Sequence, residues 1–501
     1  MTRALLAAFV AVSVAAGCAQ QPKPTVSPRP LAPPKRGVKA LKNDLASYCQ
    51  APAFKNAVWG VLVKSLATGE TLFAVNPGTF LMPASNMKVV TMAAAAERLG
   101  WNYTFTTTVV ATGPVEGSVL KGDLVVVGSG DPSLGGRPTE GPSVVERWAD
   151  QIRAKGIRRI DGRLIGHDNV FDDEGLGQGW AWDYLAYGYA TPVGGLDFNE
   201  NVVRLTFAPG AAAGDPVSVA ARPEGSGLLI EAAVTTAAAD GSNDINVVRL
   251  PGSRRLGVSG AVPVGKTDLT QTVSVENPTE FMVGAFHQAL LSRGIEVAGG
   301  AVDVDALPAP PDLTNAETLV THTSPPLSEI GKVLLKVSQN LYADALLKVI
   351  GRPADGGPAT AREGRRALRE VLQGWGIAPE QYAQADGSGL SRYNYLTADV
   401  LVTVLTRMYS DDRHMEPFIT ALPIAGVDGT IAGRMKDTRA QGNARAKTGS
   451  IANARALSGY VTSADGEPLV FSMIVNNFNV PQSQADAVID RAVVRLAEFR
   501  R

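Results

Sequence analysis

Three short groups of residues in this chain have the types and spacing to act together in acyl transfer. The first is Ser85-Asn86-Met87-Lys88. On a helix, positions i and i+3 share a face, so the amine of Lys88 can reach the Ser85 hydroxyl. A serine hydroxyl is a poor nucleophile until a base takes its proton, and a lysine whose charged form is disfavoured can be that base. Ser85 also falls where a helix is expected to begin, and free N–H groups and the dipole there favour developing negative charge. The second group is Ser338-Gln339-Asn340, between two helical segments, where a hydroxyl and an amide can point into one cleft. The third is Lys447-Thr448-Gly449-Ser450, just before a β-like run. A strand edge there could pair with an extended peptide, Gly449 permits close backbone approach, and Lys447 and Thr448 suit a terminal carboxylate. Each group alone is commonplace; S-x-x-K usually marks a capping serine followed by a surface lysine.

These groups need elements to hold them. Val58 to Leu66 and Thr71 to Asn76 are apolar, β-compatible runs joined by Ala67-Thr68-Gly69-Glu70, which reads as a hairpin. Pro83 and Ser85 open a helix that runs through Ala93–Ala96 and stops at Gly100. From Thr104 to about Ser274 the chain reads as many short strands punctuated by glycine, with one helix near Ser143–Gly156. Helices return at about Pro278–Arg293, Pro326–Lys336, Leu341–Ile350 and Ala361–Trp375. The end reads strand, strand, helix over Arg455–Thr462, Pro468–Asn476 and Gln482–Arg500. The expectation is one α/β catalytic domain, residues 38–105 and 275–501, split by two β-rich insertions at 106–200 and 201–274. Its two ends then share a sheet.

The order S-x-x-K, S-x-N, K-T-G is the set shared by penicillin-binding proteins and serine β-lactamases. Longer strings agree: Pro83 to Lys88, Ser338 to Asp344, Asp386 to Arg392, Leu422-Pro423 through Gly429-Thr430, and Leu457 to Tyr460. From about Asn56 to Asn477 the chain resembles the D-Ala-D-Ala carboxypeptidase/endopeptidases, the class C low-molecular-mass penicillin-binding proteins. The resemblance implies a transpeptidase domain of penicillin-binding-protein/β-lactamase type, an antiparallel sheet with helices. It also accounts for the 249 residues between Lys88 and Ser338, a gap filled in that family by two inserted domains.

Carried over by position, Ser85 resembles the nucleophile and Lys88 its base. Ser338 would relay the proton to the leaving amine, and Asn340 would orient the substrate amide and the lysine. Lys447 and Thr448 would hold the terminal carboxylate, and the N–H groups of Ser85 and Ser450 would form the oxyanion hole, with Gly449 between. Arg392 sits where the family has a substrate-binding arginine; a structural salt bridge is the alternative. In Trp180-Ala181-Trp182-Asp183-Tyr184, Asp183 stands where family members meet the amine of a diaminopimelate side chain, but Tyr184 replaces a frequent second acid. The aromatic cluster Trp180, Trp182, Tyr184, Tyr187 and Tyr189 reads as packing between domains rather than a sugar platform.

Composition narrows the classes. With a net charge of -1 the chain has no basic excess for nucleic acid. Four scattered histidines, none at ligand spacing, suggest no metal, and no cofactor is expected. Arg3 followed by the apolar run Ala4–Ala16 reads as a signal segment over residues 1–17, far short of the ~20 residues that span a bilayer. It ends Ala15-Ala16-Gly17-Cys18, which resembles a lipobox with Cys18 as the lipidation site; ordinary signal-peptidase cleavage is the alternative. Residues 18–37 are rich in proline and read as a tether of ~3.1 Å per residue. With Cys18 lipidated, Cys49 has no disulfide partner, and the fold must rely on its core.

The expected protein is exported to the periplasm and anchored by lipid, at the outer membrane if there are two. Its expected partners are peptidoglycan peptides and β-lactams. A serine β-lactamase and a non-catalytic wall-binding lipoprotein are the competing readings.

Overall fold

Strand Val58–Ser65 lies antiparallel beside strand Pro468–Asn476, so segments from opposite ends of the sequence build one sheet. The computed structural model describes residues 37–136 and 142–501; the expected signal segment, Cys18 and all but the last residue of the tether lie outside them. The sheet has five antiparallel strands in the order Arg445–Ile451, Ala454–Thr462, Pro468–Asn476, Val58–Ser65, Thr71–Val75. Successive side chains of a strand point to opposite faces. Leu457, Val461, Phe471 and Met473 enter one core with helices Val38–Cys49 and Gln482–Ala497. Ala456, Tyr460, Val470 and Ile474 enter another with helices Met87–Leu99 and Ala398–Ser410. Helices on both faces explain why Ala454–Thr462 is buried at every position but the last.

Helix Met87–Leu99 runs through the second core and is buried continuously from Met87 to Ala96. Its alanines, Ala93 to Ala96, allow close approach of helices Leu327–Lys336, Asn340–Ile350 and Ala361–Gly374. The expected helices are found within a few residues of their limits. Helices Ala398–Ser410 and Met415–Ala421 were not anticipated. Val400, Val402, Thr403, Val404 and Thr406 are β-branched, a composition that suits strands at least as well as helices. Thr397 caps the first of these helices by accepting from Val400 N–H, and burial against the sheet does the rest.

The insertion departs from expectation in two ways. Its main sheet orders Ala301–Asp303, Leu164–His167, Leu124–Val127, Thr106–Ala111 and Glu317–Thr323. The pair Leu124–Val127 and Leu164–His167 is parallel, joined through helix Val144–Ala154, and Leu164–His167 pairs in parallel with Ala301–Asp303. This part is therefore mixed α/β rather than β-rich. The catalytic part also does not resume at 275. Phe281, Met282 and Leu290 of helix Pro278–Ser292, with Leu319 and Val320, share a core with Val109, Leu124, Trp148 and Leu164. Apolar side chains drive residues 278–323 onto the insertion, because that is where their buried face finds cover. Between Val202 and Ser274 the structure is strands alone, in two three-stranded sheets.

Candidate active site

Ser85 lies in a 3-10 turn, Ala84–Asn86, that runs directly into helix Met87–Leu99. Ala84 before it takes a φ of 47°, and Ser338 takes 63°. Such left-handed non-glycine residues cost about 1–3 kcal/mol each and persist where surrounding contacts over-determine them.

Lys88 is fully buried. Its Nζ lies 3.0 Å from Ser85 Oγ, 2.5 Å from Asn340 Oδ1 and 2.7 Å from the Ser388 carbonyl. Burial pushes its pKa down to about 8, against the opposing pull of Asp344 and Asp386. A neutral amine has two N–H donors and one lone pair. Here Asn340 Oδ1 and the Ser388 carbonyl can take the donors, which leaves the lone pair for the Ser85 hydroxyl. The Asn340 amide is oriented from the other side, where its Nδ2 donates to the Tyr189 carbonyl at 2.6 Å.

Lys447, also fully buried, donates to Ser338 Oγ at 2.8 Å and to the Thr448 carbonyl at 2.9 Å. Burial, and then the nearby Lys88, hold its pKa well below the usual lysine range. Strand Arg445–Ile451 forms an edge of the sheet, and Ser450 on it is exposed. A Cβ on Gly449 would stand 2.3 Å from the Pro83 carbonyl oxygen, so only glycine lets this strand press against the Ser85 turn. Asn86 Nδ2 ties the two together by donating to the Lys447 carbonyl at 3.2 Å. The fold thus brings Ser85, Lys88, Ser338, Asn340, Lys447, Thr448 and Gly449 into one linked group.

Several members of the site were not singled out from sequence. Thr430, in turn Gly429–Ile431, accepts from Thr448 Oγ1 at 2.8 Å. Asp344 takes the N–H groups of Gly387 and Ser388 at 2.6 and 3.1 Å, and burial followed by the nearby Asp386 raises its pKa to about 7. Asp386 is buried under the loop whose Ser388 carbonyl meets Lys88. The strings around these residues were recognisable, but no spacing reveals that two acids lie near a lysine so far upstream.

Arg392 and Asp183 stand outside this hydrogen-bonded group. Arg392 donates to the Ala452 carbonyl at 3.3 Å and to Tyr184 Oη at 3.2 Å. Among the described residues it has no carboxylate partner, so the salt-bridge alternative does not hold. Asp183 is exposed on the turn Trp182–Tyr184. The aromatic cluster divides: Trp180 donates to Asp386, Tyr187 stacks on Tyr189, and Trp182 is 58% exposed rather than packed between domains. Away from the cleft, Asp168, Asp303 and Asp305 gather beside a cavity of about 270 Å³, and His414 meets Glu97 and Asp411. His414 is held by Trp101 and Glu97, Asp303 Oδ2 accepts from Asn277 and Asp168 Oδ2 accepts from Thr279, while the buried Asp168 Oδ1 has no hydrogen-bond partner among the described residues.

Residues 41–499 match the profile of the D-Ala-D-Ala carboxypeptidase 3 (S13) family. A D-alanyl-D-alanine carboxypeptidase of Actinomadura sp. is 36% identical over 92% of this chain and 85% of its own. The D-alanyl-D-alanine carboxypeptidase DacB of Haemophilus influenzae is 28% identical over 84% and 85%. The crystal structure of penicillin binding protein 4 (dacB) from Haemophilus influenzae superposes with a TM-score of 0.77 at 26% identity, covering 93% of this chain and 98% of that one. With the split antiparallel sheet and the serine–lysine site, these likenesses assign the chain to the D-Ala-D-Ala carboxypeptidase S13 family.

Proposed function

We propose that this serine-type D-Ala-D-Ala carboxypeptidase works through an acyl-enzyme on Ser85, cleaves peptidoglycan stem peptides and is acylated by β-lactams. The observation that carries the reading is the environment of Lys88, a buried amine whose lone pair can face the Ser85 hydroxyl. In the first step Ser85 Oγ attacks the carbonyl carbon of the D-Ala-D-Ala amide, and its proton passes to Lys88 Nζ. The C–N bond then breaks, and the leaving amine takes the proton that Lys88 accepted, relayed through Ser338, which Lys447 holds at 2.8 Å, so that Lys88 is neutral again. Water hydrolyses the remaining ester. The N–H groups of Ser85 and Ser450 stabilise the oxyanion, usually the largest single contribution. Lys447 and Thr448 hold the terminal carboxylate, while Arg392 and Asp183, on the insertion side, meet the rest of the stem peptide.

A β-lactam amide takes the place of the D-Ala-D-Ala amide. A solved complex of the Haemophilus influenzae penicillin binding protein 4 with a novel β-lactam is consistent with this. The test is mass spectrometry after penicillin treatment. A stable adduct is expected on the peptide containing Ser85 and absent in Ser85→Ala; persistent labelling of that variant would overturn the assignment. Incubation with purified wall peptides then separates release of terminal D-Ala from cleavage of cross-links, an endopeptidase activity that the open strand edge also permits.

We propose further that Cys18 carries a lipid and that the Pro-rich segment after it tethers the enzyme to a membrane facing the periplasm, the outer one where there are two. Ala15-Ala16-Gly17-Cys18 supports this, and Ala19 is not the aspartate that commonly retains lipoproteins at the inner membrane. Cys18→Ser is expected to release a soluble form or leave an unprocessed precursor. Unchanged membrane association of a processed variant would sink the idea.

A further inference from the structure

Four donors converge on the buried carboxylate of Asp386. Oδ1 accepts from Gly389 N–H and Asn394 Nδ2, each at 2.7 Å. Oδ2 accepts from Ser391 N–H at 2.7 Å and from the indole N–H of Trp180 at 2.9 Å. Three of these donors belong to the acid's own loop. The fourth comes from the inserted segment, 206 positions earlier in the chain. Its approach depends on Gly177, where a Cβ would stand 2.2 Å from Trp180 Nε1.

The same loop carries the carbonyls that hold the catalytic helix. Ser388 accepts from Lys88 Nζ and Gly387 from Thr91 Oγ1, both at 2.7 Å. Loop position and amine position are therefore coupled. The charged groups around Lys88 are Asp386 from this loop, Asp344 from helix Asn340–Ile350 and Lys447 from the edge strand. The two acids favour the protonated amine and Lys447 disfavours it.

We propose that Trp180 is a positioning residue for acyl transfer: its N–H completes the donor set on Asp386 and so holds the loop that places Lys88 against Ser85. The inference rests on Lys88 as the base. It makes the insertion part of the catalytic machinery, because a buried acceptor that loses its donor keeps its desolvation cost and the loop shifts to relieve it.

Trp180→Phe in the full chain keeps a ring and removes the donor. Acylation by penicillin and release of D-Ala are followed across pH, normalised to the folded fraction by circular dichroism. We expect kcat to fall about 10-fold with KM nearly unchanged, the signature of a lost transition-state interaction. The rising pH limb set by Lys88 moves, since the loop governs both the burial of the amine and its distance from Asp386. In an Asp386→Asn background the added change costs less, because the carboxylate that takes all four donors is already lost. Gly177→Ala, which displaces the indole without altering it, reproduces the shift if Trp180→Phe folds poorly. An unmoved pH limb with unchanged kcat, or a loss that follows melting temperature alone and adds fully to Asp386→Asn, would overturn the proposal. Wild-type acylation in Lys88→Ala would overturn the base assignment instead, a separate failure.

Discussion

The amine of Lys447 donates to the Ser338 hydroxyl at 2.8 Å, across 109 positions of sequence and between a sheet edge and the turn before a helix. Burial lowers the Lys447 pKa and Lys88 lies close enough to help, so one buried site holds two lysines with different hydrogen-bond partners. Lys88 meets the Ser85 hydroxyl, the proposed nucleophile, and Lys447 donates to the Ser338 hydroxyl, the proposed relay to the leaving amine. Ser338→Ala is expected to lower D-Ala release by ~10²–10⁴-fold through kcat, the usual scale for a general acid–base group. Steady-state kinetics with unchanged circular dichroism would verify it; an effect confined to KM would make Ser338 a binding residue.

Lys88→Ala is expected to slow acylation on the same ~10²–10⁴-fold scale while leaving the fold intact. The pH dependence follows from burial, which lowers the Lys88 pKa to about 8. Below that pH the amine carries a proton and cannot accept the one on Ser85, so kcat/KM should rise with pH through about 8. A profile flat from about 6 to about 9 would contradict this, measured as the rate of penicillin acylation.

Thr448→Val keeps the shape of the edge strand and removes a hydroxyl. A hydrogen bond to a charged group contributes about 1.5–3 kcal/mol, so kcat/KM against a peptide ending in D-Ala-D-Ala should fall roughly 10- to 150-fold. An amidated peptide should lose less. Equal losses would show that Thr448, through its bond to Thr430, shapes the strand instead.

Lys348 links the two parts of the molecule. Its Nζ is held by Asp172 Oδ1 at 2.5 Å and the Glu174 carbonyl at 3.0 Å, and its side chain is 3% exposed. Lys348→Met leaves Asp172 without its counter-charge. Breaking a buried pair costs about 3–5 kcal/mol, and the partial exposure of Asp172 puts the expectation at the low end, about 3 kcal/mol in chemical denaturation. A loss below about 1 kcal/mol would mean that Asp172 rehydrates freely.

Much of the site is legible in the order of residues alone. Ser85 and Lys88 are three positions apart, and helical geometry brings them to one face. Thr448 and Gly449 follow Lys447 directly, so a strand there presents them together. Strand and helix limits are close to expectation wherever periodicity is clean, as in Pro468–Asn476 and helix Gln482–Ala497. Expectation fails where the local pattern is ambiguous. Helix Ala398–Ser410 has the β-branched content of a strand, and residues 278–323 give no sign of which core they join.

By itself the sequence determined the chemistry on offer: a serine with a lysine one turn on, a hydroxyl–amide pair, and a lysine–threonine–glycine edge. Those are local patterns, set by backbone geometry over a few residues. Only the tertiary structure decided how the lysines are tuned and which groups position them. The low pKa of Lys88 needs a dry core closed around it, and its neighbours Asn340, Ser388, Asp344 and Asp386 come from segments far along the chain. Burial and charge proximity are sums over everything that packs nearby. For that reason the contributions of Tyr189, Trp180 and Asp386 emerge only once the insertion is folded against the catalytic helix.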